Sequence, residues 1–255
     1  EKIRNWAFQY EDNEEGFVDY LLKGQPEPPK YFAMMKKLNK VERPLLPEVP
    51  KQKKLSKKEF LNTYNDGVKI IDTRNKIDFA KGFIPASINI QDNNSFSTWM
   101  GWLIDYPERF ILVAQDHQME DLTRKLMRIG MDQMMGYIDD VDHLELELQK
   151  ADVIDIEEFK SYLNKDHIQI VDVRGKTEFD EGHIKGVENI FVGTLPDNLY
   201  KMSKDKPVVI HCQSGDRAAI AYSILKKNGF TNVKNYAGGM KEWKEMENPV
   251  TNKNV

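Results

Sequence analysis

The sequence predicts an α/β protein. It consists of two copies of one small domain, each a small parallel sheet with helices on both faces, preceded by a helical or irregular tail. Three observations predict this. Short β-branched apolar runs alternate with helical periods, as in sheets covered on both faces. The stretch Ile70-Ile71-Asp72-Thr73-Arg74 returns 100 residues later as Ile170-Val171-Asp172-Val173-Arg174. The only cysteine, Cys212, stands where a buried-looking strand breaks into a short loop that opens a helix.

Composition narrows the class. The 255 residues are 40% hydrophobic and 31% charged, enough for one large core or two small ones. A net charge of −4 without long runs of one sign argues against nucleic acid as a partner. No stretch approaches the about 18 apolar residues of a membrane span. A single cysteine forbids an intramolecular disulfide, which fits a reducing cytosol and a cytoplasmic location. Glu1 is not an initiator Met, so the chain is expected to be a fragment of a longer one.

The opening forty residues repeat nowhere, and residues 41–54, rich in Pro and Lys, read as a linker. The first copy is assigned to residues 55–146 and the second to 152–247, with a flexible C-terminus over 248–255. Beyond the Asp-x-Arg stretch, Phe79, Gly82, Ile84, Asn89 and Ile90 are matched at the same spacing by Phe179, Gly182, Ile184, Asn189 and Ile190. In the second copy a helix is expected from about Ile156 to Leu163, then a strand at Ile168–Asp172 and a turn at Gly182. Strands near Val187–Phe191 and at Val208–His211 follow, then a helix from Ala218 to Lys227 closed by Gly229. A strand at Val233–Asn235 and a helix from about Met240 end the domain. The first copy runs Phe110-Ile111-Leu112-Val113-Ala114 into Gln115-Asp116-His117 where the second has its cysteine. Pairing Val113 with Ile210 gives a loop about two residues shorter, without a nucleophile.

The loop Cys212-Gln213-Ser214-Gly215-Asp216-Arg217 carries the chemistry. Strand, tight turn and helix N-terminus together aim backbone N–H groups at one point and favour an anion there. A sulfur so placed is pushed towards thiolate, the nucleophilic form of cysteine. In such sheets ligands bind outside the carboxyl ends of the strands, where Cys212 falls. Asp216 and Arg217 offset one another in charge, so the loop is not an obvious trap for a strongly anionic ligand.

Asp172-Val173-Arg174, Glu178-Phe179, Gly182-His183-Ile184, Asn189-Ile190, a strand ending in Cys212, and Gly238-Gly239-Met240 with Trp243 resemble the rhodanese superfamily of sulfurtransferases. The resemblance covers residues 152 to about 247. It implies two rhodanese-like domains, inactive then active. Cys212 is the implied catalytic residue, with Gln213, Ser214, Gly215, Asp216 and Arg217 around the substrate. It implies a small-molecule sulfur donor (persulfide or thiosulfate, the offset charges of Asp216 and Arg217 mildly favouring the persulfide), a thiol or sulfite as acceptor, no nucleic acid, no membrane and a possible homo-oligomer. Four residues separate Cys212 from Arg217, one fewer than in cysteine-dependent phosphatases, which favours a sulfur atom over a phosphoryl group.

Residues 1–40 resemble the C-terminal tail of the persulfide dioxygenase branch of the metallo-β-lactamase fold, through Trp6, Phe17 to Leu22, Pro26-Glu27-Pro28-Pro29, Tyr31-Phe32, Met35 and Lys36. That branch implies a fusion in sulfide detoxification, with non-haem iron in a domain outside this chain. His117, His143, His167, His183 and His211 never fall at the close spacing of its metal signature, so no cofactor and no metal are expected here.

Plainer roles stand beside these. Cys212 could be a small buried hydrophobe and the protein a persulfide-sensing or docking module. Arg217 could be a surface charge, and Gln213 and Ser214 helix caps. Asp172 with Arg174 reads as a structural pair, His183 and His211 as scaffold. The Trp99-Met100-Gly101-Trp102 cluster, with Met131, Met134 and Met135, reads as core or interdomain packing.

Overall fold

The tail that precedes the repeats forms two short helices, α1 (Glu14–Leu22) and α2 (Tyr31–Leu38). The Asn13 side chain starts α1 by accepting the Gly16 N–H at 2.9 Å. α2 lies on the first domain, where glycines leave it room. A Cβ on Gly101 would stand 2.2 Å from the Tyr31 ring, and one on Gly130 2.4 Å from Leu38. The computed structural model describes residues 5–23, 25, 28–42 and 47–252. The motif residues Pro26 and Glu27, residues 1–4 of the tail, 43–46 of the linker and 253–255 of the C-terminus lie outside the described residues.

The first domain runs α3 (Lys57–Asn65), β1 (Lys69–Asp72), α4 (Lys76–Lys81), β2 (Ile88–Asn89), α5 (Phe96–Leu103), β3 (Phe110–Val113), α6 (Met119–Arg128) and β4 (Met134–Ile138). The second runs β5 (Val153–Ile154), α7 (Ile156–Tyr162), β6 (Gln169–Asp172), α8 (Lys176–Glu181), β7 (Glu188–Asn189), β8 (Val208–His211), α9 (Asp216–Lys227), β9 (Val233–Tyr236) and α10 (Gly239–Glu245). The sheets are ordered β2-β1-β3-β4 and β5-β9-β8-β6-β7, parallel throughout. Two parallel α/β domains behind a helical and irregular segment are therefore present, as the repeat predicts.

Repeated residues do repeated work. Arg174 lies flat on Asp172, Nη2 to Oδ2 at 2.7 Å, and also donates to the Gly182 carbonyl at 2.8 Å. Arg74, Asp72 and Gly82 repeat this geometry. Asn89 and Asn189 each donate Nδ2 to the two carbonyls flanking that turn, at 3.0 and 2.9 Å. The Asp-x-Arg and Asn signatures are thus a device that pins the loop after the central strand.

Four expectations are corrected. The register pairs Asp72 with Val113 and Asp172 with His211, so Ala114 is the counterpart of Cys212, 98 residues apart. Gly130 and Gly229 are 99 apart, which makes the first loop one residue shorter, not two. α9 begins at Asp216, not Ala218, placing Asp216 and Arg217 in its first turn. The end of the linker joins the sheet: Leu55 N–H donates to Tyr137 O at 2.9 Å and Tyr137 N–H to Lys53 O at 3.0 Å. The end of the chain is tied down as far as it is described. Thr251 and His183 exchange backbone hydrogen bonds of 2.8 and 2.9 Å, and Trp243 Nε1 donates to Pro249 O at 2.9 Å. Gln149 and Phe83 make the same exchange in the first domain.

The two cores are continuous. One cluster of buried side chains runs from Ile71, Phe83 and Leu112 to Val171, Cys212 and Tyr222. α9 lies against β2, where Ser223 Oγ accepts the Asn89 N–H at 3.0 Å, and Tyr222 meets Phe83 edge-on. Trp102 meets Phe191 edge-on, centroids 5.3 Å apart, so the Trp99–Trp102 cluster packs between the domains. Met131 is buried, Met134 is half-buried and Met135 stays at the surface.

Removing Asp172 strands a guanidinium whose side chain is only 3% exposed. Asp172→Ala is expected to cost about 3–5 kcal/mol in chemical unfolding. A loss below about 1 kcal/mol would show that the pair does not hold the turn.

Candidate active site

The site is built by holding carbonyls. β8 delivers Cys212 at the carboxyl end of the second sheet, and the chain must turn into α9 within three residues. The Cys212 carbonyl accepts the Met240 N–H at 2.9 Å, and the Gln213 carbonyl accepts the Lys241 N–H at 2.9 Å. Both donors sit at the start of α10. This explains the Gly-Gly-Met motif: Gly239 has φ +60°, and a Cβ there would stand 2.4 Å from the Cys212 carbonyl oxygen. The Ser214 carbonyl accepts the Lys76 ammonium, from the other domain.

With the carbonyls so held, the Gly215 N–H donates to Cys212 Sγ at 3.1 Å. Gly215 occupies the N-cap position of α9 with φ +95°, and its Cβ would lie 2.7 Å from the Ala237 carbonyl oxygen. Only glycine fits. The leading N–H groups of α9 have no acceptor within their helix, so the start of α9 favours an anion.

Cys212 is buried, 1% exposed, and lies beneath the loop among the shared core. Gln213 is half-exposed and Ser214 exposed; neither side chain caps α9, because Gly215 holds that position. Asp216 and Arg217 do not offset each other. Asp216 pairs with Lys76 at 2.7 Å. Arg217 is bidentate on Glu178 of α8, Nη2 to Oε1 at 2.8 Å with Nη1 on Oε2. The charge argument for one donor over another falls with that pairing.

Glu178 is a site residue that sequence reasoning left in the motif without a role. Burial pushes its carboxyl up, but Arg217, helped by the Gly175 N–H and Arg174, holds it below the usual carboxylate range. Burial works against the Arg217 charge too, and Glu178, with Cys212 contributing, keeps the guanidinium protonated. In the first domain the matching Asp78 turns to Lys81 and Asn75 instead. Lys76 was equally unforeseen, because no pattern in one repeat reveals a contact with the other.

The tempting histidines are scaffold. His211 alternates with Cys212 to the opposite sheet face, where it meets Phe159 and Tyr236. Burial lowers its pKa, with Arg174 in support and Asp172 opposing, so it is neutral near pH 7. His183 stacks on Phe179 and bonds its carbonyl through Nδ1 at 2.8 Å. Among the described residues, no three His, Cys, Asp or Glu side chains gather as a metal ion requires. No helix of the described residues is long and apolar enough to cross a membrane.

A cleft of about 900 Å³ opens at the strand ends of the first domain, lined by Arg74, Gln91, Gln115 and Gln118. It reaches the reactive loop only through Asp216.

Twin parallel sheets, one with a lone cysteine at its strand-to-helix turn, define the class. The chain belongs to the rhodanese-like domain family, whose model matches residues 56–146 and 155–246. It is 40% identical over 87 residues to YqhL of Bacillus subtilis (strain 168), covering 34% of this chain and 68% of that one. It is 32% identical over 111 residues to the human thiosulfate:glutathione sulfurtransferase, covering 38% and 96%. A crystal structure described as a metallo-beta-lactamase from Staphylococcus aureus subsp. aureus COL is 32% identical, covers 54% of this chain and 38% of that one, and aligns with a TM-score of 0.45.

Two expectations follow. Gly215→Ala should displace the donor N–H and slow Cys212 alkylation at least about fivefold; an unchanged rate would remove the hydrogen bond from the account. Because the folded His211 binds its proton less readily than the unfolded chain, its contribution to stability is full above about pH 6.5 and lost as pH falls below it. Urea unfolding between pH 7 and 5.5 should therefore weaken more steeply in the wild type than in His211→Gln, by up to about 1.4 kcal/mol per pH unit; equal slopes would contradict it.

Proposed function

We propose that the chain is a sulfurtransferase that carries sulfane sulfur on Cys212. The observation that carries this reading is the Gly215 N–H on Sγ, in a loop whose carbonyls are all turned to other donors. The names of relatives, including the human thiosulfate:glutathione sulfurtransferase, support it.

The reaction has two steps. The Cys212 thiolate attacks the outer sulfur of a persulfide or thiosulfate donor. A Cys212–sulfur bond forms, the donor's own sulfur–sulfur bond breaks, and a thiolate or sulfite leaves with the electron pair. The loop amides replace water around the terminal sulfur anion. An acceptor thiolate or sulfite then attacks that sulfur, the Cys212–sulfur bond breaks, and the thiolate returns. No outside oxidant or reductant enters. This chain supplies no second cysteine to resolve the persulfide, so the acceptor comes from outside it. Gln213, Ser214 and Gly215 line the approach, while Asp216 and Arg217 fix the first turn of α9. Because the sulfur is buried, the donor must reach it past the half-exposed Gln213 and the exposed Ser214.

Resemblance of the tail extends the proposal. The chain forms part of a cytoplasmic fusion in which a metallo-β-lactamase-fold persulfide dioxygenase, with non-haem iron outside this chain, handles the sulfur of sulfide detoxification. No step here passes through that iron. The burial of Cys212 favours one alternative, a docking or persulfide-sensing module without turnover.

Kinetics separate them. Wild-type protein should show ping-pong behaviour with thiosulfate or glutathione persulfide as donor and a thiol as acceptor. Cys212→Ser should abolish transfer with its Tm within about 2 °C. Transfer near the wild-type rate in that variant, or none in the wild type with either donor, would overturn the assignment.

A further inference from the structure

We propose that Lys76, in the domain that lacks a cysteine, is a positioning residue for the Cys212 sulfur. Its ammonium holds and polarises the peptide whose N–H bonds Sγ. The Ser214 carbonyl and the Gly215 N–H belong to one peptide unit. Lys76 Nζ donates to that carbonyl, and that N–H donates to Cys212 Sγ at 3.1 Å. A cation on the oxygen of an amide draws charge through the peptide and strengthens its N–H as a donor. The same contact fixes the peptide plane, so the N–H cannot swing away from the sulfur.

Lys76 is itself held. Asn75 caps α4 by accepting the Ile77 and Asp78 N–H groups at 3.0 Å, which places Lys76 at the first helical position. The ammonium also meets Asp216 Oδ1 at 2.7 Å, and Gln91 Nε2 of the same domain donates to the Asp216 carbonyl at 3.3 Å. Nothing intervenes between the lysine and the loop: a Cβ on Gly215 would stand 3.2 Å from both Cδ and Nζ of Lys76. The repeat supplies the contrast. Lys176 holds the matching place in the second domain and turns to Asp180 on its own helix, at 2.5 Å. Arg217 and Arg174 are committed to Glu178 and Asp172. His211 points to the opposite sheet face. Lys76 thus brings a charge from the cysteine-less domain to the peptide that faces the sulfur.

The catalytic consequence rests on the sulfur-transfer reading; the effect on cysteine reactivity does not. The test compares Lys76→Met, Lys76→Arg and, as a control on the same helix, Lys81→Met. In the full chain the rate of Cys212 alkylation by iodoacetamide at pH 7 should fall about fivefold in Lys76→Met. It should return to within about twofold of wild type in Lys76→Arg and stay unchanged in Lys81→Met, with Tm values alike. The kcat for sulfur transfer should fall with the alkylation rate, while KM for the donor changes little. An unchanged or faster alkylation in Lys76→Met, or a failure of Lys76→Arg to restore it, overturns the proposal. If the wild type transfers no sulfur while the alkylation series behaves as stated, the sulfur-transfer reading fails and the role of Lys76 stands.

Discussion

Three successive carbonyls, of Cys212, Gln213 and Ser214, are each held by a donor outside the loop. The rest of the site depends on that constraint. Backbone carbonyls must find partners when they leave water, and a loop free to choose would turn some of them towards the sulfur. Here the amino end of α10 takes two and Lys76 takes the third. What remains to face Sγ is N–H, and Gly215 supplies it at 3.1 Å. The glycines at 215 and 239 serve that arrangement, since a side chain at either would collide with a carbonyl oxygen.

The two domains are one physical object at this point. α9 carries the loop at its amino end and is buried along most of its length, partly by its own sheet and partly by β2 of the first domain. Loss of a cysteine from the first copy did not remove its structural devices: Asp72, Arg74 and Asn89 pin its turn as Asp172, Arg174 and Asn189 pin the other. A domain with Ala114 in the reactive position still shapes the neighbouring site, by the burial of α9 and the reach of Lys76 and Gln91.

Most of the fold was legible because it is written twice. Asp-x-Arg, Asn89 with Asn189 and the apolar strands recur at fixed spacing, and their burial follows from β-branched runs. The position of Cys212 was legible for a different reason, because an apolar strand runs into it and a helix follows within a few residues. Three things were not. The loop length in the first copy depended on pairing Val113 with His211, and a one-residue slip between apolar positions is invisible without the register. The partners of Asp216 and Arg217 lie 140 and 39 residues away in sequence, so neighbouring opposite charges looked paired when they are not. The order at the described end of the chain comes from an exchange of hydrogen bonds between Thr251 and His183, which no local pattern of residues 248–255 announces.

The account stands on a buried thiol that can nonetheless take up a sulfur atom. Intact-protein mass spectrometry after brief exposure to a persulfide or thiosulfate tests this directly. The account predicts one added sulfur per chain, located on Cys212 and removed when an acceptor thiol is supplied. No mass gain in the native protein, with gain appearing only after unfolding, would show that the sulfur is an inert part of the core.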